Sequence, residues 1–225
     1  MTETIKLPST KTKAESINPK RLVIYGKPKV GKTTALAGLE NNLILDLEEG
    51  SNYVDAIKIK IKDLAGIKEV GKQIKEAGYP YTYVTLDTVT VLEDMVGPLA
   101  VQLYKQTSMG KNFDGDNVLK LANGAGYMYL REAFFQVLDY IDTLAPHIIL
   151  CGHIKEKQID DKGLLVEAAN INLVGKLKTL LCSQADAIGY MHRRGNQTYL
   201  NFKATDDITC GVLKCHIISL TAGTS

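Results

Sequence analysis

The segment Gly26-Lys27-Pro28-Lys29-Val30-Gly31-Lys32-Thr33 satisfies the pattern G-x-x-x-x-G-K-[ST] in full. It stands between an apolar run, RLVIY (21–25), and a stretch of helical character, ALAGLE (35–40). Strand, glycine-rich loop and helix in that order is the context the pattern requires. The glycines let the backbone turn so that successive N–H groups point inward, and the start of the helix adds a field favourable to negative charge. Such a loop cradles phosphate. Residues Gly26 to Thr34 are the expected phosphate contacts, with Lys32 as a point charge for the β- and γ-phosphates and the Thr33 hydroxyl as a ligand for Mg²⁺.

Further apolar runs end in acids or polar residues: NLILDLEEG (42–50), YTYVTLD (81–87) and HIILCGH (147–153). YVDAIKIKI (53–61) alternates like an exposed strand. Helical periodicity fills the gaps at 63–78, where Asp63 is a plausible cap, at 91–106 with a break near Gly97 and Pro98, and at 126–145. Strands alternating with helices predict an α/β fold, a mostly parallel twisted sheet covered on both faces. After a turn at 155–168 and a helix at 171–184, the segments 185–194, 195–204 and 211–220 read as strands, an antiparallel extension at one edge. TSMGKNFDGDN (107–117) reads as a flexible surface loop.

The acids select among the chemistries a phosphate loop allows. Asp87 ends a buried strand, where an uncompensated carboxylate is costly, and its expected role is to hold Mg²⁺ through a water. Thr88 follows it, so the base that activates water must come from elsewhere. Glu48 lies two residues beyond Asp46, on the same side of an extended strand and at the carboxyl edge where ligands bind in such sheets. Glu48 is therefore the expected base, against the plainer reading of a solvated acidic loop. His153, at the end of the fourth apolar run, can sense the γ-phosphate by hydrogen bonding or simply be a satisfied structural residue.

A 225-residue chain with 45% hydrophobic and 23% charged residues is long enough for one large core and unlike a disordered, collagenous or membrane chain. Residues 1–20 are polar and read as a flexible arm, with one short strand expected at Thr4 to Leu7; residues 21–225 read as one domain. The four cysteines are too sparse for a disulfide scaffold and lack the paired spacing of zinc sites. With no signal-peptide core and no membrane-length apolar run, cytoplasmic action without a membrane partner is expected. The net charge of +2 gives no global pull toward polyanions, so any such partner must meet a local patch.

The combination GKPKVGKTT, LILDLEEG, YVTLDTVT and HIILCGHIKEK resembles the RecA-like P-loop ATPase core, and most closely the short phage-encoded RecA-like proteins of single-strand annealing and recombination. The resemblance covers roughly residues 20–195. It implies ATP and Mg²⁺ as cofactors, hydrolysis with Glu48 as the catalytic glutamate, and Asp87-Thr88 in the place of the family's Asp-Ser. His153 stands where RecA proteins carry a coupling glutamine. Tyr53 lies near the position of an aromatic that flanks adenine, at a different spacing.

The resemblance also implies a ring or filament of copies acting on single-stranded DNA, in possible company with a single-strand-binding protein. Lys105, Lys111 and Lys120 in one loop, and Lys155, Lys157 and Lys162 in another, would meet the DNA. Acids share both loops, and a merely solvated surface is the competing reading. A cation from the neighbouring subunit usually completes such a site. Of four arginines, Arg21 precedes a core strand and Arg131 sits on a helix, which leaves Arg193 and Arg194; Lys155 and Lys157 rank slightly above them. Two other functions compete: a nucleotide-dependent adaptor or switch, and a small-molecule kinase, for whose lid only Arg131 is available between Asp87 and His153.

Overall fold

The computed structural model describes residues 7, 9–11, 18–159 and 165–212. The elements run β1 (Arg21–Gly26), α1 (Lys32–Ala37), β2 (Asn42–Asp46), β3 (Lys58–Lys60), α2 (Leu64–Glu76), β4 (Tyr83–Asp87), α3 (Val89–Met95), α4 (Gly97–Lys105) and α5 (Gly126–Ile141). There follow β5 (His147–Lys155), β6 (Gln158–Ile159), β7 (Leu165–Glu167), β8 (Asn170–Ile171), α6 (Leu177–Gln184), β9 (Ala187–Arg194), β10 (Gln197–Asn201) and β11 (Gly211–Val212). The main sheet has the order β10-β9-β1-β5-β4-β2-β3. Every pair from β9 to β3 is parallel; β10 and β11 run antiparallel on β9, β8 runs antiparallel on the end of β5, and β6 and β7 form a separate antiparallel pair.

Strand β1 is central and buried at all six positions, which is why its sequence is continuously apolar after Arg21. Its side chains divide between two cores. Leu22 and Ile24 pack with Leu36 of α1, Ile44 and Ile149 on one face. Val23 and Tyr25 face the larger core, to which α2 gives Ile67, Val70 and Ile74 and α5 gives Phe134, Leu138 and Ile141. Each such side chain taken wholly from water contributes about 1.5–3 kcal/mol. Helix α2 starts as its sequence predicts: the Asp63 carboxylate accepts from Gly66 N at 2.8 Å.

Arg21 is the one charge on β1, and it is a structural tie. Its guanidinium donates to Gln184 Oε1 at 2.8 Å and pairs with Asp142, while the Asp186 carboxylate caps the strand by accepting from Lys20 N and Arg21 N. These contacts fasten the start of β1 to the ends of α5 and α6.

Several local expectations shift. The alternation at 53–61 yields a strand only at Lys58–Lys60, because residues 50–53 coil into a 3₁₀ turn around Asp46. The segment 171–184 begins as β8 and turns helical only at Leu177. The loop after α4 is anchored: Phe113 packs edge-on against Tyr104 at 5.2 Å, and Val118 is buried. The first strand of the late run, β9, joins the parallel sheet beside β1, so the antiparallel extension begins only at β10. The expected strand at Thr4 to Leu7, most of the N-terminal arm, Lys162 and residues 213–220 lie outside the described residues.

Candidate nucleotide site

The phosphate loop links the carboxyl end of β1 to α1. Two of its residues, Lys29 (φ 60°) and Gly31 (φ 105°), take left-handed backbone conformations that fold it into a cup. Gly26 is required for another reason: a Cβ there would stand 2.4 Å from the Met191 carbonyl oxygen of β9. Lys32 is 6% exposed, yet its ammonium forms no ion pair with a described residue; it donates to the carbonyls of Gly26 (3.4 Å) and Lys27 (3.2 Å). A buried cation held only by backbone carbonyls is a site prepared for an anion.

Thr33 Oγ1 donates to Asp87 Oδ2 at 2.6 Å, which joins the first turn of α1 to the end of β4. Asp87 is 6% exposed and lies in register with Asp46 on the neighbouring strand β2. Burial raises the Asp87 carboxyl above its ordinary value; the Thr33 hydrogen bond and Lys32 oppose the rise, and Glu48 and Asp46 add to it. Among the described residues no cluster of three or more His, Cys, Asp or Glu side chains is placed to hold a metal by itself. The Thr33 and Asp87 oxygens fit Mg²⁺ that draws its remaining ligands from phosphate and water, the habit of this ion in nucleotide sites.

Asp46 acts through the backbone. Its carboxylate accepts from the N–H groups of Glu48 (3.2 Å), Gly50 (3.3 Å) and Ser51 (3.1 Å) and from the Ser51 hydroxyl. This fixes the turn that carries Glu48. The Glu48 carboxylate then meets His153 Nε2 directly, so the expected base and the expected sensor form one unit. His153 sits on β5 beside Gly26 of β1, and its N–H reaches Thr90 Oγ1 at 3.4 Å. Its Nδ1 is buried without a hydrogen-bond partner among the described residues. Cys151, in register with Asp87, is fully buried, and burial pushes its thiol well up, so it is an inert core residue.

Not every expected residue joins this constellation. Tyr53 ends the 3₁₀ turn, fully exposed. Lys105, the last residue of α4, and Lys111 and Lys120 in the segment after it are exposed, and Lys120 pairs with Asp116 at 3.3 Å. Lys155 pairs with Glu167 at 3.1 Å and Lys157 with Asp207 at 2.7 Å. Arg193 and Arg194 are exposed at the end of β9 and flank the same surface cavity as Lys27 and Lys29; neither is in an ion pair with a described residue. Sequence reasoning passed over Ser51 and Thr90. The D-x-E-E-G-S spacing, a carboxylate with glycine and serine four and five residues on, was the available signal for the first.

A phosphate loop at the carboxyl edge of a mostly parallel sheet, with Mg²⁺-type donors on the next helix turn and the β4 end, defines a RecA-like P-loop ATPase-type domain. A family model described as an AAA domain (AAA_24) matches residues 18–211, and the chain belongs to that family. No match was found among curated proteins. Solved structures similar to the chain include the RadB recombinase, with 14% identity over 80% of this chain and 79% of that one at a TM-score of 0.41. A type III secretion system ATPase of pathogenic bacteria shows 11% identity over 77% and 52% of the two chains, TM-score 0.44. The KaiC-like protein PH0186 of Pyrococcus horikoshii OT3 shows 10% identity over 86% and 83%, TM-score 0.40.

Proposed function

We propose that the protein is a Mg²⁺-dependent ATPase of the phage RecA-like kind that acts on single-stranded DNA in recombination or annealing, as a ring or filament of its own copies in the cytoplasm. Residues 21–225 form its one ATPase domain, and a single-strand-binding protein is its natural companion. The observation that carries the catalytic part is the convergence of a buried Lys32 held by backbone carbonyls, the Thr33–Asp87 pair and the Glu48–His153 pair at one sheet edge.

In this reading the loop from Gly26 to Thr34 wraps the phosphates with its N–H groups, and Lys32 turns from the carbonyls to the β- and γ-phosphate oxygens. The Thr33 hydroxyl directly and Asp87 through a water would hold Mg²⁺, which would supply neutralising positive charge to the phosphates. Glu48 accepts a proton from the attacking water as its oxygen bonds to the γ-phosphorus and the bond to the β–γ bridging oxygen breaks, leaving ADP. His153 holds Glu48 in line and is the group that registers the γ-phosphate. Tyr53, with its whole ring in water, is the aromatic proposed for the base. Lys105, Lys111, Lys155, Lys157 and Lys162 are the proposed DNA contacts. For the cation donated to a neighbouring copy we now favour Arg193 and Arg194 over Lys155 and Lys157, because both lysines are already engaged by carboxylates of their own chain.

One observation favours a second reading. The pairing of Lys120, Lys155 and Lys157 with acids lowers the free positive charge of the loops, as an adaptor without strong DNA binding would have it. The ATPase rate with and without a single-stranded oligonucleotide, with particle size measured alongside, decides between them. Stimulation of at least about tenfold by the oligonucleotide in an oligomer supports the first reading; an unstimulated rate with no salt-dependent oligonucleotide binding overturns it in favour of the adaptor.

A further inference from the structure

Three consecutive residues that leave the nucleotide site at the end of β5 are each engaged in an ion pair, and each pair reaches a different part of the chain. Lys155 meets Glu167 of β7 at 3.1 Å, Glu156 meets Lys27 of the phosphate loop at 2.9 Å, and Lys157 meets Asp207 at 2.7 Å. Glu167 and Asp207 belong to one paired unit, because Ala169 N donates to Asp207 O at 2.8 Å and Thr209 N to Ala169 O at 3.0 Å. Glu167 also accepts from Lys178 of α6. The segment is thus fastened on one side to the 167–209 unit by its lysines and on the other to the phosphate loop by its glutamate. Two residues before Lys155 stands His153, in contact with Glu48.

Carboxylates on lysine ammonium groups occupy the positions that phosphate oxygens would take. We propose that residues 155–157 are a charge latch opened by a polyanion: backbone phosphates of single-stranded DNA replace Glu167 and Asp207 on Lys155 and Lys157, and the displaced segment draws Glu156 off Lys27. Lys27 is thereby freed beside the bound nucleotide, and DNA binding and nucleotide binding favour each other. This rests on the DNA-acting reading above and assigns its regulation to named acids. Reciprocity is required by linkage, since whatever the DNA adds to nucleotide affinity the nucleotide adds to DNA affinity.

The pairs are suited to exchange. The side chains of Lys157 and Asp207 are 48% and 50% exposed, and those of Lys27 and Glu156 are 64% and 60%. Pairs so open to solvent are weak and salt-screened, so a phosphate can outcompete a carboxylate, and removing one competing carboxylate changes affinity by about two- to fivefold. Glu167 is the firmer anchor, 30% exposed between Lys155 and Lys178.

The test measures binding of a fluorescent single-stranded oligonucleotide, and of a non-hydrolysable ATP analogue with and without the oligonucleotide, at two salt concentrations. The double variant Glu167→Gln with Asp207→Asn is expected to bind the oligonucleotide about four- to twenty-five-fold more tightly than the natural protein. Glu156→Gln is expected to bind the analogue in the absence of DNA as tightly as the natural protein does in its presence, so that the DNA-dependent gain disappears. If the natural protein binds the oligonucleotide and these variants leave both affinities within twofold, the latch is wrong and the DNA-acting reading stands. If neither the natural protein nor the double variant binds it, both fall. Binding by the double variant alone supports the latch and shows that the natural chain is held closed.

Discussion

Replacing Glu48 by glutamine separates the binding of nucleotide from its hydrolysis, and the structure sets the size of each effect. The Asp46 network that fixes the turn uses the backbone N–H of Glu48, not its side chain, so the turn survives the change. A glutamine amide oxygen still accepts from His153 Nε2. The loss is confined to the charge on a pair whose side chains are 35% and 21% exposed, which costs below about 1 kcal/mol. Nucleotide affinity should therefore change by less than about fivefold. Loss of the base removes a factor of about 10² to 10⁴ from the chemical step, or roughly 2.7–5.5 kcal/mol of barrier. Binding of a fluorescent ATP analogue together with single-turnover hydrolysis of γ-labelled ATP reads both quantities on one preparation. A Glu48→Gln protein that hydrolyses within threefold of the natural rate, with binding intact, refutes Glu48 as base. One that loses binding by more than tenfold makes Glu48 part of the scaffold instead.

Two further outcomes follow from other buried charges. Because burial raises the Asp87 carboxyl, the fold binds that proton more tightly than the unfolded chain does. Ligand-free stability accordingly falls as pH rises from about 3.9, the unfolded value, through the higher folded one. Asp87→Asn should melt above the natural protein at pH 7 without ligand, and gain less on adding Mg²⁺ and ATP; a lower ligand-free melting temperature contradicts this. Arg21→Met leaves Asp142, 15% exposed, without its cation, a loss of about 2–4 kcal/mol and roughly 4–16 °C in a chain of this size. Thermal melts should show that drop while analogue affinity at low temperature stays within threefold, and a shift under about 3 °C would assign Arg21 a smaller structural part.

What could be read in advance followed the range of the interaction. The phosphate loop is legible because eight consecutive residues specify it, and Asp87, Glu48 and His153 because each closes an apolar run whose burial the run itself announces. Long-range pairing was not legible. Nothing local in ADAIGYMHRR says that β9 runs parallel beside β1, since parallel and antiparallel strands share one alternation. Lys155 and Lys157 looked free because their partners, Glu167 and Asp207, lie 12 and 50 residues away. The contact between Glu48 and His153 spans 105 residues, so two separately chosen candidates became one unit only in three dimensions. Arg21 shows the reverse: its place before a core strand ranked it below the terminal arginines as a mobile cation, and its buried ties to Asp142 and Gln184 agree.

The absence of a side chain at Gly26 has a meaning apart from ligands. Its missing methyl group leaves room for the Met191 carbonyl, and both atoms belong to paired strands in mid-sheet, where neither backbone can retreat without breaking the ladder. A library of variants at this position, sorted only for yield of intact protein, would already be purged to glycine before any activity screen began. The first letter of the phosphate motif is thus enforced by architecture, and inactivity in a Gly26 substitution reports on assembly of the sheet and not on how the loop grips its phosphates.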